Sequence, residues 1–355
     1  MAQAPLLSRR HLLQLASLGG AAFALGSLAG CRRGGEVGRL LSVRGQVPPA
    51  WLKALPSAWR SQVLESPAEL LEQLQRPNSL PSLISLGDGW VQQLPVAQVQ
   101  PIEAPALLDG LDPIAQAASR LFAGPDAPAK AFPWAFGTWV ILLRNRPDLL
   151  LRQREGWALL LDPSLRQRLV LPASPRLLID LAQRQLGVVP NQAPDLDDPR
   201  LVEQLRRLHG QALSLDERQG LNFLLAGDAD AAVVPSQRAV PLLQRDPRLA
   251  AILPASGSPL WWQLLLRTGP ADTPLPLEWI RDGLNLPLLD RLLAAGWVPP
   301  LPVAQLAPAL NRWPQRLRPL LLPSSDVLAR CTNLLPLQAA ERQRLQTLWD
   351  QAMAG

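Results

Sequence analysis

Short apolar runs that alternate with longer helical segments constrain this chain more than any other feature. Residues 40–43 (Leu-Leu-Ser-Val) read as a strand, and Pro49 begins a helix running toward Leu55. Residues 63–65 read as a second strand. Ser66-Pro67-Ala68-Glu69 then opens a helix through Leu74, with Ser66 as N-cap and Pro67 at the first helical position. Residues 83–86 form a third strand that stops at Gly87-Asp88-Gly89, and a helix follows from Trp90. Such an opening belongs to the α/β class and predicts mostly parallel sheets flanked by helices. Residues 139–143, 168–171, 231–234, 249–253 and 259–266 read as further strands. Residues 175–186, 198–209 and 220–225 read as helices, the first ended by Gly187. From Leu277 onward the chain is mainly helical and broken by prolines. The 38 prolines are spread along the chain, so they punctuate loops and do not mark a disordered tract. Two α/β blocks suggest two lobes with a cleft between them.

The first thirty residues have a different design. Arg9 and Arg10 are the only charges before Cys31, and a Gly- and Ala-softened apolar run separates them from it. A charged head, an apolar body and a small-residue end make the layout of an export signal. The paired arginines indicate the twin-arginine route. Leu28-Ala29-Gly30-Cys31 is similar to the lipobox of bacterial lipoproteins, in which the Cys thiol takes the lipid. Residues 1–30 are therefore expected to be removed, leaving Cys31 acylated on the periplasmic side of the inner membrane. About 325 residues remain, a length that suits two lobes. No later run of about eighteen apolar residues appears, so no further span is expected.

Composition excludes several functions. Net charge is +6, or +4 without Arg9 and Arg10, and the basic residues are interspersed with acids. There is no basic stripe with interleaved aromatics, so nucleic-acid binding is not expected. Tyrosine is absent and His209 is the only histidine beyond the leader. A histidine-rich zinc site and a paired-tyrosinate ferric site are both excluded, and no metal or cofactor is expected. No Gly-x-Ser-x-Gly, phosphate loop or Cys-x-x-Cys occurs. With one mature-chain histidine and no nucleophile motif, an enzyme is not expected. If Cys31 is acylated, Cys331 has no disulfide partner and reads as a small buried or half-buried residue.

Five stretches in order carry a family resemblance. They are Val47-Pro48-Pro49; Ser85-Leu86-Gly87-Asp88-Gly89-Trp90; Phe132-Pro133-Trp134-Ala135-Phe136-Gly137-Thr138; residues 157–163 with 171–176; and residues 227–234. Together they resemble the periplasmic solute-binding proteins of ABC importers, in the spermidine/putrescine-binding branch. The resemblance implies a two-lobed type II periplasmic binding fold. Lobe 1 takes 38–137, lobe 2 takes 138–260, and 261–355 return to lobe 1 with the C-terminal helices. It also implies a monomer that hands a small solute to a permease and its ATPase.

Polyamine binders of that branch pack methylenes on aromatic rings and pair ammonium groups with carboxylates. The matching positions are Gln46 in the first loop, Trp90 after the third strand, and Trp134 or Phe136 in the hinge strand. Ser174 and Leu177 flank Arg176 where the branch has acids, and Trp261 and Gln263 stand where it has Trp-x-Asp. The rings are kept and several carboxylates are not. Asp88 is the best remaining carboxylate for a cation, and it reads equally as an N-cap. Trp261 and Trp262 are adjacent in a strand, so one ring faces the cleft and the other the core. The first reading is an importer's binding component for a polyamine-like solute. The alternative is a degenerate relative acting as a membrane-associated interaction or assembly factor.

Overall fold

An antiparallel ribbon organises the molecule. The computed structural model describes residues 38–354, apart from 77–79, 95–97, 189–195, 217–218 and 271, so Cys31 lies outside the described residues. Ten strands are described: β1 (Gly38–Val43), β2 (Trp59–Leu64), β3 (Leu83–Gly87), β4 (Ala131–Arg144), β5 (Leu169–Leu171), β6 (Ala212–Leu215), β7 (Ala231–Pro235), β8 (Leu249–Ile252), β9 (Pro259–Arg267) and β10 (Thr332–Asn333). Their order is β2-β1-β3-β9-β4-β7-β5-β6, with β10 on β9 and β8 on β4. The flanks are parallel: β1 with β2 and β3, and β5 with β6 and β7. The middle is antiparallel, because β4 carries the chain out of one sheet and β8 and β9 carry it back along β4.

β4 is much longer than the five-residue strand the sequence suggests, because Pro133 and Gly137 resemble breakers. The ladder with β9 shifts register between Pro133 and Ala135, so the missing N–H of proline falls at a bulge. A Cβ at Gly137 would lie 2.5 Å from the Trp261 ring and 2.6 Å from Ser236 Oγ, so the strand passes only as glycine. Residues 253–258 interrupt the returning side of the ribbon, and Ser258 fills the gap. Its Oγ accepts from the Trp139 N–H at 2.8 Å and reaches the Trp139 carbonyl at 2.9 Å. A buried backbone pair would otherwise have no partner.

The helices follow local chemistry. Ser66 Oγ accepts from the Glu69 N–H at 3.2 Å, and Pro67 begins the helix Pro67–Leu74 as expected. Asp198 caps the helix Pro199–Gln211, and Gly187 follows Pro175–Gln185 with a φ of 79°. Two of the elements not apparent from the sequence have a local reason. β6 is short and only partly buried, and the helix Ser236–Arg245 contains Pro241.

Side-chain alternation covers the second sheet on both faces. Ile141, Leu143, Leu169, Leu171, Ala231 and Val233 face a cluster formed with Leu177, Leu181, Leu201, Leu205 and Leu348. Val140, Leu142, Val170, Ala232 and Val234 join a cluster with Ala239, Val240 and Leu243, which continues through β1, β3 and β9. The last helix, Ala339–Met353, therefore packs beside Pro199–Gln211 through Leu348 and Ala352. No helix among the described residues is long and apolar enough to cross a membrane.

Gly257 lies in the interruption at a φ of +81°, and a Cβ there would sit 2.1 Å from the Arg330 carbonyl oxygen. Backbone cannot yield as a side chain can. Gly257→Ala is expected to cost about 2–3 kcal/mol, read as a lower urea midpoint at unchanged slope.

Candidate functional site

The site is built where β3, β9 and β4 lie side by side. Gly87 pairs with Gln263, which also pairs with Ala135. This register puts three polar side chains in one line. Gln263 Nε2 donates to Ser85 Oγ at 3.3 Å and to Gln46 Oε1 at 3.1 Å. Trp134 Nε1 donates to the same Ser85 oxygen at 3.2 Å. Gln263 is 4% exposed, so its amide belongs to this buried line, while Gln46 is half-buried at its outer end. A buried amide needs such partners.

The aromatic residues form a ladder. Trp51 and Trp279 stack at 4.3 Å, and each indole N–H donates to the other's backbone carbonyl, at 3.0 and 2.8 Å. Trp134 tilts against Trp51 at 4.9 Å and Trp297 at 5.0 Å. Trp297 meets Trp261 edge-on at 5.7 Å. Trp261 is half-buried, donates to the Thr138 carbonyl at 3.2 Å, and rests over Gly137. Its neighbour Trp262 is 1% exposed and donates to Asn333 Oδ1 at 2.8 Å. One ring of the pair is open and the other is core, as strand alternation requires.

Two expected rings change role. Trp134 is fully buried and Phe136 is 2% exposed, stacked on Trp262 at 5.3 Å. The crossing strand is covered on both faces, so these rings pack the core and do not present a surface to a ligand. Trp90 stays half-buried against the first cluster.

The charged residues also separate. The short helix after β3 spans Asp88–Val91, so it begins at Asp88 and not at Trp90, and its N-cap is Gly87 without a side-chain bond. Asp88 is thus not the N-cap. Burial raises its carboxyl from 3.8 to about 6; backbone N–H groups of Trp262 and Gly89 and the positive charge of Arg176 oppose the rise. Ser174 caps Pro175–Gln185, its Oγ accepting from the Leu177 N–H at 3.4 Å. Arg176, in the first turn of that helix, is half-buried, and burial lowers its pKa while Asp88, Asp180 and Glu341 oppose the fall. Asp88 and Arg176 thus act on each other from different elements. Asp228 and Asp230 precede β7, and the Asp230 carboxylate is taken by Arg168 at 2.8 Å. Cys331 is buried, and burial raises its thiol pKa. Among the described residues no cluster suits a metal ion.

Sequence reading missed the Trp51–Trp279 pair and the role of Asp180 and Arg184. The signal for the latter was present: Arg176, Asp180 and Arg184 are four apart on one helix face.

No protein-family model and no curated protein matches the chain. Solved structures do. The spermidine/putrescine ABC transporter substrate-binding protein of Streptococcus pneumoniae superposes with a TM-score of 0.70 at 13% identity, covering 89% of this chain and 98% of that one. The TpPotD lipoprotein of Treponema pallidum gives 0.66 at 13% identity, covering 88% and 98%. A Listeria monocytogenes ABC substrate-binding protein in complex with cycloalternan gives 0.65 at 10% identity, covering 89% and 93%. The chain therefore has the mixed α/β, two-lobed fold of periplasmic binding proteins.

Asp88 sets a pH dependence. Its folded pKa of about 6 exceeds the 3.8 of a free carboxyl, so the folded state binds more protons between those values. The stabilisation is full below the lower value and is lost as pH rises through about 6. At about 1.4 kcal/mol per unit, the loss amounts to at most about 3 kcal/mol. Urea unfolding across this window is expected to show falling stability in the wild type and a flatter curve in Asp88→Asn.

Proposed function

We propose that this chain is the lipid-anchored substrate-binding component of an ABC importer. It captures a small solute of polyamine-like class on the periplasmic side of the inner membrane and delivers it to a permease powered by an ATPase. The ribbon of β4 with β8 and β9 supports this reading: it joins two sheets, each with its own helices. Proteins of the same fold include substrate-binding components of spermidine/putrescine transporters and a protein holding cycloalternan. Residues 38–137 and 138–260 act as the two lobes, with 261–355 returning to the first except for the last helix, Ala339–Met353, which packs on the second. The solute stabilises the closed arrangement, and that difference in free energy is the loading signal. No group is transferred and no bond is made.

A second reading has its own support. The carboxylates of the polyamine branch are missing at Ser174, Leu177 and Gln263, and Trp134 and Phe136 are buried. A diammonium without anions would lose several kcal/mol in such a cleft. On this reading the chain is an interaction or assembly factor without a transported ligand.

Thermal unfolding of the mature protein with a panel of polyamines and other small solutes separates the two. A true ligand at a hundredfold excess over its Kd adds about 2.7 kcal/mol and raises the midpoint. A flat response across the panel would favour the second reading. For the anchor, Cys31→Ala is expected to move the exported protein from the membrane fraction to the soluble periplasmic fraction. A variant that stays membrane-bound after export would sink the lipid assignment.

A further inference from the structure

The polar line across β3 and β9 ends in two amides whose bonding capacity is only half used. Gln263 Nε2 spends both of its N–H groups within the line, on Ser85 Oγ at 3.3 Å and on Gln46 Oε1 at 3.1 Å. That leaves Gln263 Oε1 as an acceptor and Gln46 Nε2 as a donor. Among the described residues neither atom has a hydrogen bond to the protein, and neither is sealed from solvent. Turning both amides over swaps the two roles, with the Ser85 hydroxyl then donating, and still leaves one donor and one acceptor free.

The neighbouring positions keep this pair open. Gly87 and Ala135 flank Gln263 on the two partner strands. A Cβ at Gly87 would stand 3.7 Å from Gln263 Oε1, so the missing side chain leaves that oxygen uncovered from this side. Trp261 lies two residues before Gln263, hence on the same face of β9 and about 7 Å along the strand. Its half-buried ring rests over Gly137, the next flanking position on β4. Among the described residues no charged side chain is hydrogen-bonded to Gln46, Ser85, Trp134 or Gln263. The face therefore offers one free donor, one free acceptor and a ring, with no ion bonded to them.

We propose that Gln46 and Gln263 select the solute, and that it is uncharged and hydroxyl-bearing: a sugar or sugar alcohol whose adjacent hydroxyls meet the two amides and whose C–H face lies on Trp261. This rests on the solute-binding reading but not on the polyamine-like class. A hydroxyl gives one hydrogen and offers two lone pairs, so two neighbouring hydroxyls satisfy a free donor and a free acceptor together. An ammonium can only donate and a carboxylate can only accept. Either would leave one amide group unmatched and bring a charge to a line that holds no counter-charge. Such rejection by unpaired polar groups is as much a part of the selection as the fit of the right solute.

The test is calorimetric titration of the mature protein with neutral sugars and alditols (glucose, galactose, xylose, maltose, trehalose and mannitol), with putrescine and spermidine, and with succinate. Saturable heat is expected from at least one neutral compound and not from the amines or the acid. Gln46→Ala removes one uncharged contact and is expected to weaken that binding about 3- to 10-fold. Gln46→Glu removes the donor and adds a charge, and about 10- to 100-fold is expected. Gly87→Val leaves both amides in place but covers Gln263 Oε1, and a loss of about tenfold is expected. Circular dichroism checks that each variant is folded. An amine or succinate that binds more tightly than every neutral compound overturns the uncharged class while leaving solute capture standing. So does silence from the sugars and alditols when another metabolite binds, or unchanged affinity in folded Gln46→Glu and Gly87→Val. Silence across a wide metabolite panel overturns the solute-binding reading as well.

Discussion

The antiparallel pairing of β4 with the returning β8 and β9 is the constraint on which the rest depends. A chain that leaves one sheet must come back, and here it returns alongside the strand that carried it out. Every irregularity of the ribbon has a local cause. Proline sits at a bulge, glycine clears an indole, and a serine hydroxyl replaces a missing backbone partner. The same register places Gln263 beside Gly87 and so sets Trp262 next to the start of the helix Asp88–Val91. The surroundings of Asp88 therefore depend on a strand about 170 residues away, held in position by hydrogen bonds that no side chain specifies.

The tryptophans follow a similar logic. Large rings bury much apolar surface, but each carries one N–H that needs an acceptor. Trp51 and Trp279 satisfy each other, Trp134 uses Ser85, Trp262 uses Asn333 and Trp261 uses the Thr138 carbonyl. The acceptors fix the orientation of the rings, so the ladder is a set of specified contacts and not a generic apolar mass. It also limits function. Rings with both faces engaged cannot hold a solute, which leaves Trp261 at the open end of the ladder.

Local signals were legible in the sequence. Ser66 and Pro67 announce a helix because capping and fixed φ act within one turn. Gly187 ends another for the same reason. The apolar runs of β1, β3, β7 and β9 are plain because those strands are buried. The limits were physical too. Pro133 and Gly137 weaken a strand only if the partner strand does not accommodate them, and that partner lies more than a hundred residues on. The alternation that sets Trp261 outside and Trp262 inside was readable from spacing, whereas the burial of Trp134 and Phe136 was not. Their strand is covered on both faces, and alternation cannot show that. Asp88 and Arg176 were both identifiable as charged residues of interest, but only the fold makes them neighbours in an electrical sense.

Arg184 has a mechanical consequence. Its guanidinium ties one helix to the backbone at Ser256 and Arg330 and to the side chain of Thr332, on two separate passes of the chain between the sheets. Arg330 Nε adds a bond between those passes, to the Ala255 carbonyl at 2.6 Å. Segments cross-linked in this way lose their freedom to slide past one another. The junction then has fewer independent degrees of freedom than its number of passing chains implies.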